Sequence, residues 1–181
     1  VDAAHSGGQT DFRMEDLGAD FVGFNLHKWI GAPIGAGLIY IRRDRLEDIS
    51  TDMSERPEGA GTIYHRIHTG TTNFATFLTL KDALDFHELV GPARKAARVA
   101  YLRDLWAEEM RGDDRIEILT PSDPRLHAAI TSFRFKGKTS VDDNKAIAKA
   151  LADKHGICAG HRDGVAKGAC VRVTPTLYNT P

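Results

Sequence analysis

Gly23-Phe24-Asn25-Leu26-His27-Lys28-Trp29-Ile30-Gly31-Ala32-Pro33 is the stretch from which the rest of the chain can be placed. The apolar run that leads into it, Asp20 to Phe24, reads as a short buried strand. Beyond the Gly/Pro-rich turn, Ala36-Gly37-Leu38-Ile39-Tyr40-Ile41 reads as a second buried strand. A lysine between two core strands is expected to be partly desolvated, which favours its neutral, nucleophilic amine. Schiff-base chemistry with a carbonyl compound needs that form. A solvated lysine in the loop after a strand fits the same residues, so this stretch alone leaves both readings open.

A second stretch stands upstream, Val1-Asp2-Ala3-Ala4-His5-Ser6-Gly7-Gly8. One strand ending in Asp-x-x-His and another ending in a polar residue, x, His, Lys together resemble the class V aminotransferase family. These are fold-type I enzymes that use pyridoxal 5'-phosphate (PLP), and they include cysteine desulfurases and isopenicillin N epimerases. The resemblance runs down to Arg172 and Tyr178-Asn179-Thr180, and the Leu26-His27-Lys28-Trp29 run is most similar to the isopenicillin N epimerase-like branch. It implies an α/β fold, the C-terminal part of the PLP-dependent transferase large domain followed by a small α+β domain. It also implies that the first half of a complete enzyme lies outside these residues. Thr180 as N-cap and Pro181 at the first helical position announce a further helix.

The resemblance assigns roles residue by residue. Lys28 forms the Schiff base and moves protons at the substrate Cα. Asp2 pairs with the pyridine nitrogen, where an anion keeps the ring protonated and electron-withdrawing. His5 donates to the phenolic oxygen. Asn25 and His27 hold the phosphate, and Thr71 of Gly70-Thr71-x-Asn73 reaches the phosphate of a neighbouring subunit, so the implied assembly is a homodimer with a shared site. Arg172 clamps the α-carboxylate of an amino-acid substrate. Plain alternatives exist for each: Asp2 as a turn cap, His5 as a loop histidine, Arg172 as an edge-strand side chain with its head in water. Loss of the Cα proton is common to transamination, epimerisation and β-elimination, and the sequence does not choose among them. A desulfurase-like C–S lyase and a non-catalytic fragment are the rival readings. In desulfurases a thiol follows a Gly-His pair by two residues; here Gly160-His161-Arg162-Asp163 puts Asp163 there. Persulfide transfer is therefore not expected, and Arg162 and Asp163 are read at the mouth of the substrate pocket.

The bulk numbers read as those of a soluble globular protein. Hydrophobic residues make up 41% and charged residues 27% of 181, and 24 basic side chains nearly cancel 25 acidic ones. No basic stripe points to nucleic acid and no apolar run reaches membrane-spanning length. Cys158 and Cys170 lack a metal or redox spacing and suit a reducing cytoplasm. His5, His27, His65 and His68 do not make a metal set, since no carboxylate or thiol stands at ligand spacing.

The expected division is 1–91 for the end of the PLP-binding large domain, 92–112 for a linking helix and 113–181 for the small domain. Within it, periodicity predicts a short helical turn over Met14–Leu17, another over Arg45–Ile49, and a loop over Ser50–Gly61. Helices are expected over about Asn73 to Leu89, Pro92 to Arg111 with Val99, Leu102, Leu105 and Trp106 on one face, and Asp142 to His155 capped by Ser140. Strands are expected at Ile116–Leu119, Ala128–Phe135, Gly156–Ala159 and Ala169–Val173.

Overall fold

The computed structural model describes residues 1–53, 61–67 and 70–181, so His68 and part of the Ser50–Gly61 loop lie outside the described residues. The chain forms two compact units, Val1–Pro92 and Ala93–Pro181.

The first unit is built on β1 (Phe21–Asn25) and β2 (Gly37–Ile41), paired antiparallel with Gly23 opposite Ile39 and Asn25 opposite Gly37. The first residues run parallel to β1 on its other edge. Ala3 N–H donates to the Gly23 carbonyl (2.9 Å), Gly23 N–H donates to the Val1 carbonyl (3.1 Å), and Asp2 bridges Gly23. Side chains alternate across the layer. Ala3, Val22 and Phe24 turn inward onto Phe12, Met14, Leu17 and Tyr40, with the Phe12 and Phe24 rings stacked at 6.2 Å. Burying a Val or Phe stabilises by about 1.5–3 kcal/mol, so this small cluster fixes the pairing register. The strands are half-buried, not buried through: Phe21, Leu38 and Ile39 are exposed. The apolar runs read as buried strands because a run of that length cannot report which face is covered.

A 3-10 turn over Met14–Leu17 closes on Gly18, and a second covers Arg43–Asp48. The single helix expected after Asn73 is two helices, α1 (Phe74–Leu78) and α2 (Leu80–Val90). The break falls at Thr79, whose hydroxyl donates back to the Ala75 carbonyl (3.1 Å) and the Thr76 carbonyl (3.0 Å). Such back-bonding competes with the backbone ladder and bends helices.

The second unit is a four-stranded antiparallel sheet in the order β3-β4-β6-β5, with β3 Ile116–Ile118, β4 Thr131–Phe135, β5 Gly160–Arg162 and β6 Cys170–Val173. Its helices are α3 (Pro92–Arg111), which starts at the boundary, and α4 (Val141–His155). Ser140 caps α4 by accepting from the Asp143 N–H at 3.1 Å. One sheet face carries Ile116, Ile118, Phe133, Val171 and Val173, and Trp106 of α3 meets Phe133 edge-on at 5.9 Å. Val99 and Leu102 are buried on α3 as expected, but Leu105 is exposed and Ala107 is buried in its stead. The opposite sheet face is polar.

The strand expected at Gly156–Ala159 is absent. Gly156 adopts φ 66° to end α4, and the Ile157 N–H donates to the Leu151 carbonyl (3.1 Å), so it is spent on the helix end. The strand begins at Gly160 instead, and Cys158 is exposed ahead of it. Among the described residues no helix is long and apolar enough to cross a membrane.

Candidate active site

Asp2 and Gly23 are partners across two parallel strands, and both strands release their chain at the same end. Because Ala3 faces the core, Asp2 faces the other way, on the side of Gly23 and Asn25. Crevices beyond the carboxyl ends of parallel strands are where α/β sheets bind ligands. Here Asp2, Gly23, Asn25, Gly37 and Ile39 border an open cleft of about 710 Å³. Asp2 Oδ1 accepts from the Ala4 N–H at 2.9 Å, and no lysine or arginine among the described residues pairs with the carboxylate.

β1 feeds directly into the loop that carries Lys28. The Ala32 N–H donates to the Leu26 carbonyl (3.1 Å), closing the loop on itself. Trp29, Ile30 and Ala32 are buried and anchor its far side, while Lys28 projects exposed. The desolvation expected for Lys28 from its flanking strands is therefore not supplied by them, because the strands' faces are themselves half open. His27, just before it, has its Nδ1 buried with no hydrogen-bond partner among the described residues. A buried ring nitrogen left unsatisfied is costly, so an oxygen-bearing group placed there would be stabilised.

The turn that carries His5 is packed flat against that loop. A Cβ on Gly7 would stand 2.8 Å from the Phe24 ring, and one on Gly8, which has φ 83°, 2.9 Å from the Trp29 carbonyl carbon. Gln9 Nε2 donates to the His5 carbonyl at 2.6 Å. The Trp29 indole N–H donates to His5 Nδ1 at 3.2 Å. Indole nitrogen is only a donor, so His5 Nδ1 accepts and the neutral ring carries its proton on Nε2. In the sequence Trp29 counts only as part of the Leu26–Trp29 run; its position directly after the lysine was the available signal for its role here.

Asp2, His5, Asn25, His27 and Lys28 are thus brought into one neighbourhood. Thr71 is not: it is exposed on the approach to α1, and the neighbouring hollow of about 490 Å³ is bordered by Ile34, Gly35, Thr72 and Asn73. The helix N-terminus expected to favour phosphate there is short, since α1 has five residues and Asn73 Oδ1 already accepts from the Ala75 N–H (3.1 Å).

Arg172 belongs to the second unit. It lies on β6 between Ser132 and Gly160, half-buried on the polar sheet face. Burial, with a further contribution from Arg162, pushes its guanidinium pKa down. On the same face Arg134 is buried, with Nε on Glu117 (2.8 Å) and Nη1 on the Lys167 carbonyl (2.7 Å), which ties down the segment after β5. Arg134 holds Glu117 below the usual carboxylate range through that hydrogen bond.

A strand-end carboxylate beside a strand that leads into a His-Lys loop, with a separate small antiparallel sheet bearing an arginine, defines a class of protein rather than an isolated motif. The chain belongs to the class-V aminotransferase family, whose model matches residues 1–181. It is similar to an isopenicillin N epimerase of Amycolatopsis lactamdurans, 28% identical over 195 residues that cover 99% of this chain and 48% of that one. It is also similar to a probable cysteine desulfurase of Methanothermobacter thermautotrophicus, 26% identical over 204 residues, again 99% and 48%. Among solved structures, a cysteine desulfurase of Escherichia coli shares the fold at TM-score 0.80 and 20% identity, covering 99% of this chain and 47% of that one. The chain spans about half the length of the curated relatives it matches.

Proposed function

We propose that the whole protein is a PLP-dependent enzyme acting at Cα of an amino acid, of the isopenicillin N epimerase-like kind, and that Lys28 carries the cofactor. One observation supports this most strongly: the parallel bridge that sets Asp2 beside the strand leading into Asn25, His27 and Lys28. The orphaned, buried His27 Nδ1 fits a phosphate oxygen, and the Nε2 proton fixed on His5 by Trp29 fits an acceptor on the ring. When bound, PLP supplies an electron sink for the charge left on Cα when a bond there breaks. The chain's own part is to position and to move protons. Asp2 places an anion for the ring nitrogen, His27 and Asn25 hold the phosphate, Lys28 takes and returns the Cα proton, and Arg172 orients the carboxylate. Thr71 reaching a neighbour's phosphate would make the active unit a homodimer. The free thiols of Cys158 and Cys170 favour a reducing, cytoplasmic setting.

The test adds PLP to the whole purified protein and records its visible spectrum. A yellow band that Lys28→Ala loses supports the reading; a complete protein that gives no band rejects it. The second reading, a desulfurase-like C–S lyase, draws on the 26% identical relative and on Cys158, which is exposed ahead of β5. Against it stands Asp163 directly after β5, a carboxylate that cannot hold a persulfide. Incubation with cysteine and mass spectrometry separates the two: a persulfide on Cys158 that turns over with alanine release selects the lyase.

A further inference from the structure

The polar face of the second unit's sheet holds more positive charge than one carboxylate clamp needs. Gly160 stands opposite Arg172, and Arg162 opposite Cys170, so Arg162 and Arg172 are diagonal neighbours on one face. Gly160 has no side chain, and Arg162 occupies that space: a Cβ on Gly160 would stand 2.9 Å from Arg162 Nη1. The same nitrogen donates to the His161 carbonyl at 2.6 Å, which holds the guanidinium folded back over the strand toward Arg172. Arg134 and Glu117 on this face neutralise each other. Among the described residues no carboxylate pairs with Arg162 or Arg172, Asp163 included. Two like charges at neighbouring cross-strand positions destabilise a sheet, and Arg172 is half-buried, which makes the repulsion harder to screen.

The geometry points to Arg162 as the reader of a second anionic group, so that the substrate is an amino acid with a carboxylate in its side chain as well as at Cα. This rests on the proposed assignment of Arg172 to the α-carboxylate. A single carboxylate would leave one of the two charges uncompensated. Two carboxylates balance both, and each guanidinium presents a planar fork suited to bidentate pairing. Arg162 thereby sets specificity without touching the reacting carbon.

The experiment titrates the PLP-loaded whole protein calorimetrically with straight-chain diacids from malonate to adipate and with the matching monoacids. The expected result is that one diacid binds about tenfold or more tightly than its monoacid, one charge-assisted fork being worth that much. Arg162→Gln should remove the diacid's advantage and leave monoacid affinity unchanged; Arg162→Lys should keep part of it. Turnover should follow, with aspartate or glutamate favoured over asparagine or glutamine only while Arg162 is present. Two results overturn the proposal: no diacid advantage at any length, or an equal loss for monoacids and diacids in Arg162→Gln, which would place both arginines on one carboxylate. Failure of the Arg172 reading has a different signature. Arg172→Gln would then leave monoacid affinity unchanged, while the response to Arg162→Gln still decides the present proposal.

Discussion

Replacing Trp29 by Phe removes the one donor that fixes the His5 tautomer, together with part of a buried ring. The indole N–H donates to His5 Nδ1 at 3.2 Å from a ring that is only 6% exposed. A neutral hydrogen bond of this kind contributes about 1 kcal/mol net, or about a fivefold bias toward the tautomer with its proton on Nε2. The smaller ring also costs about 1–2 kcal/mol of packing, so stability alone cannot diagnose the bond. The assay is imidazole 15N NMR on protein labelled at histidine, below the temperature where the variant starts to unfold. In the parent, His5 Nδ1 should appear as a bare acceptor and Nε2 as protonated; in Trp29→Phe both should move toward the average of the two tautomers. If His5 donates to the ring as proposed, PLP affinity should fall by only about twofold in step, since the Nε2–H form drops from about five-sixths to about half of the neutral ring. Ile30→Val, which trims the contact with Gly8 without touching the bond, should leave the tautomer unchanged. A proton on Nδ1 in the parent, or identical spectra for parent and variant, would refute the assignment.

Other consequences are equally direct. Asp113, hydrogen-bonded by Arg115, is held at about 2; its folded value is depressed, so its contribution to stability is complete above about pH 4 and lost as pH falls through about 2, which a carboxyl NMR titration would show and Arg115→Gln would reduce but not abolish, because the Arg115 backbone N–H still donates to Asp113 Oδ1 (2.9 Å). Ser140→Ala should cost about 1 kcal/mol by removing the cap of α4, seen as a lower denaturant midpoint with an unchanged slope. Arg134→Met strips the Lys167 and Ala169 carbonyls of their donor; a loss of about 2 kcal/mol is expected, with faster amide exchange confined to residues 163–169 if that guanidinium pins the segment. Mixing Lys28→Ala with Thr71→Val subunits should restore part of the activity if the site is shared between subunits, and mixtures as inactive as their parents would exclude sharing.

The parts of this fold legible in the sequence are those set by local chemistry. Lys28 could be placed just past a strand because an apolar run stops ahead of it and a Gly-rich turn follows, whereas Asp2, with only Val1 before it, could be placed by the family resemblance alone. α3 could be bounded because Gly91 and Pro92 mark its start, and the start of α4 because Ser140 caps it. What escaped depends on partners distant in the chain. The burial of β1 and β2 is decided by what covers each face, and a run of apolar residues looks the same either way. The break at Thr79 arises from a side chain choosing backbone acceptors, which periodicity does not register. β5 was placed too early because Ile157 and Cys158 have strand character, whereas the Ile157 N–H is already committed to the end of α4. The Trp29–His5 bond spans 24 residues, and the closeness of Arg162 to Arg172 needs the β5–β6 register, so neither could be read before the strands were aligned.

The central claim is that Lys28 is the residue that carries the cofactor, and chemical trapping tests it most directly. The whole protein is loaded with PLP, reduced with borohydride, digested and mapped by mass spectrometry. The account predicts a phosphopyridoxyl group on Lys28 and its disappearance in Lys28→Ala, which should fold normally because the side chain is exposed and outside the core. A label on any other lysine, or none in the complete protein, would contradict it.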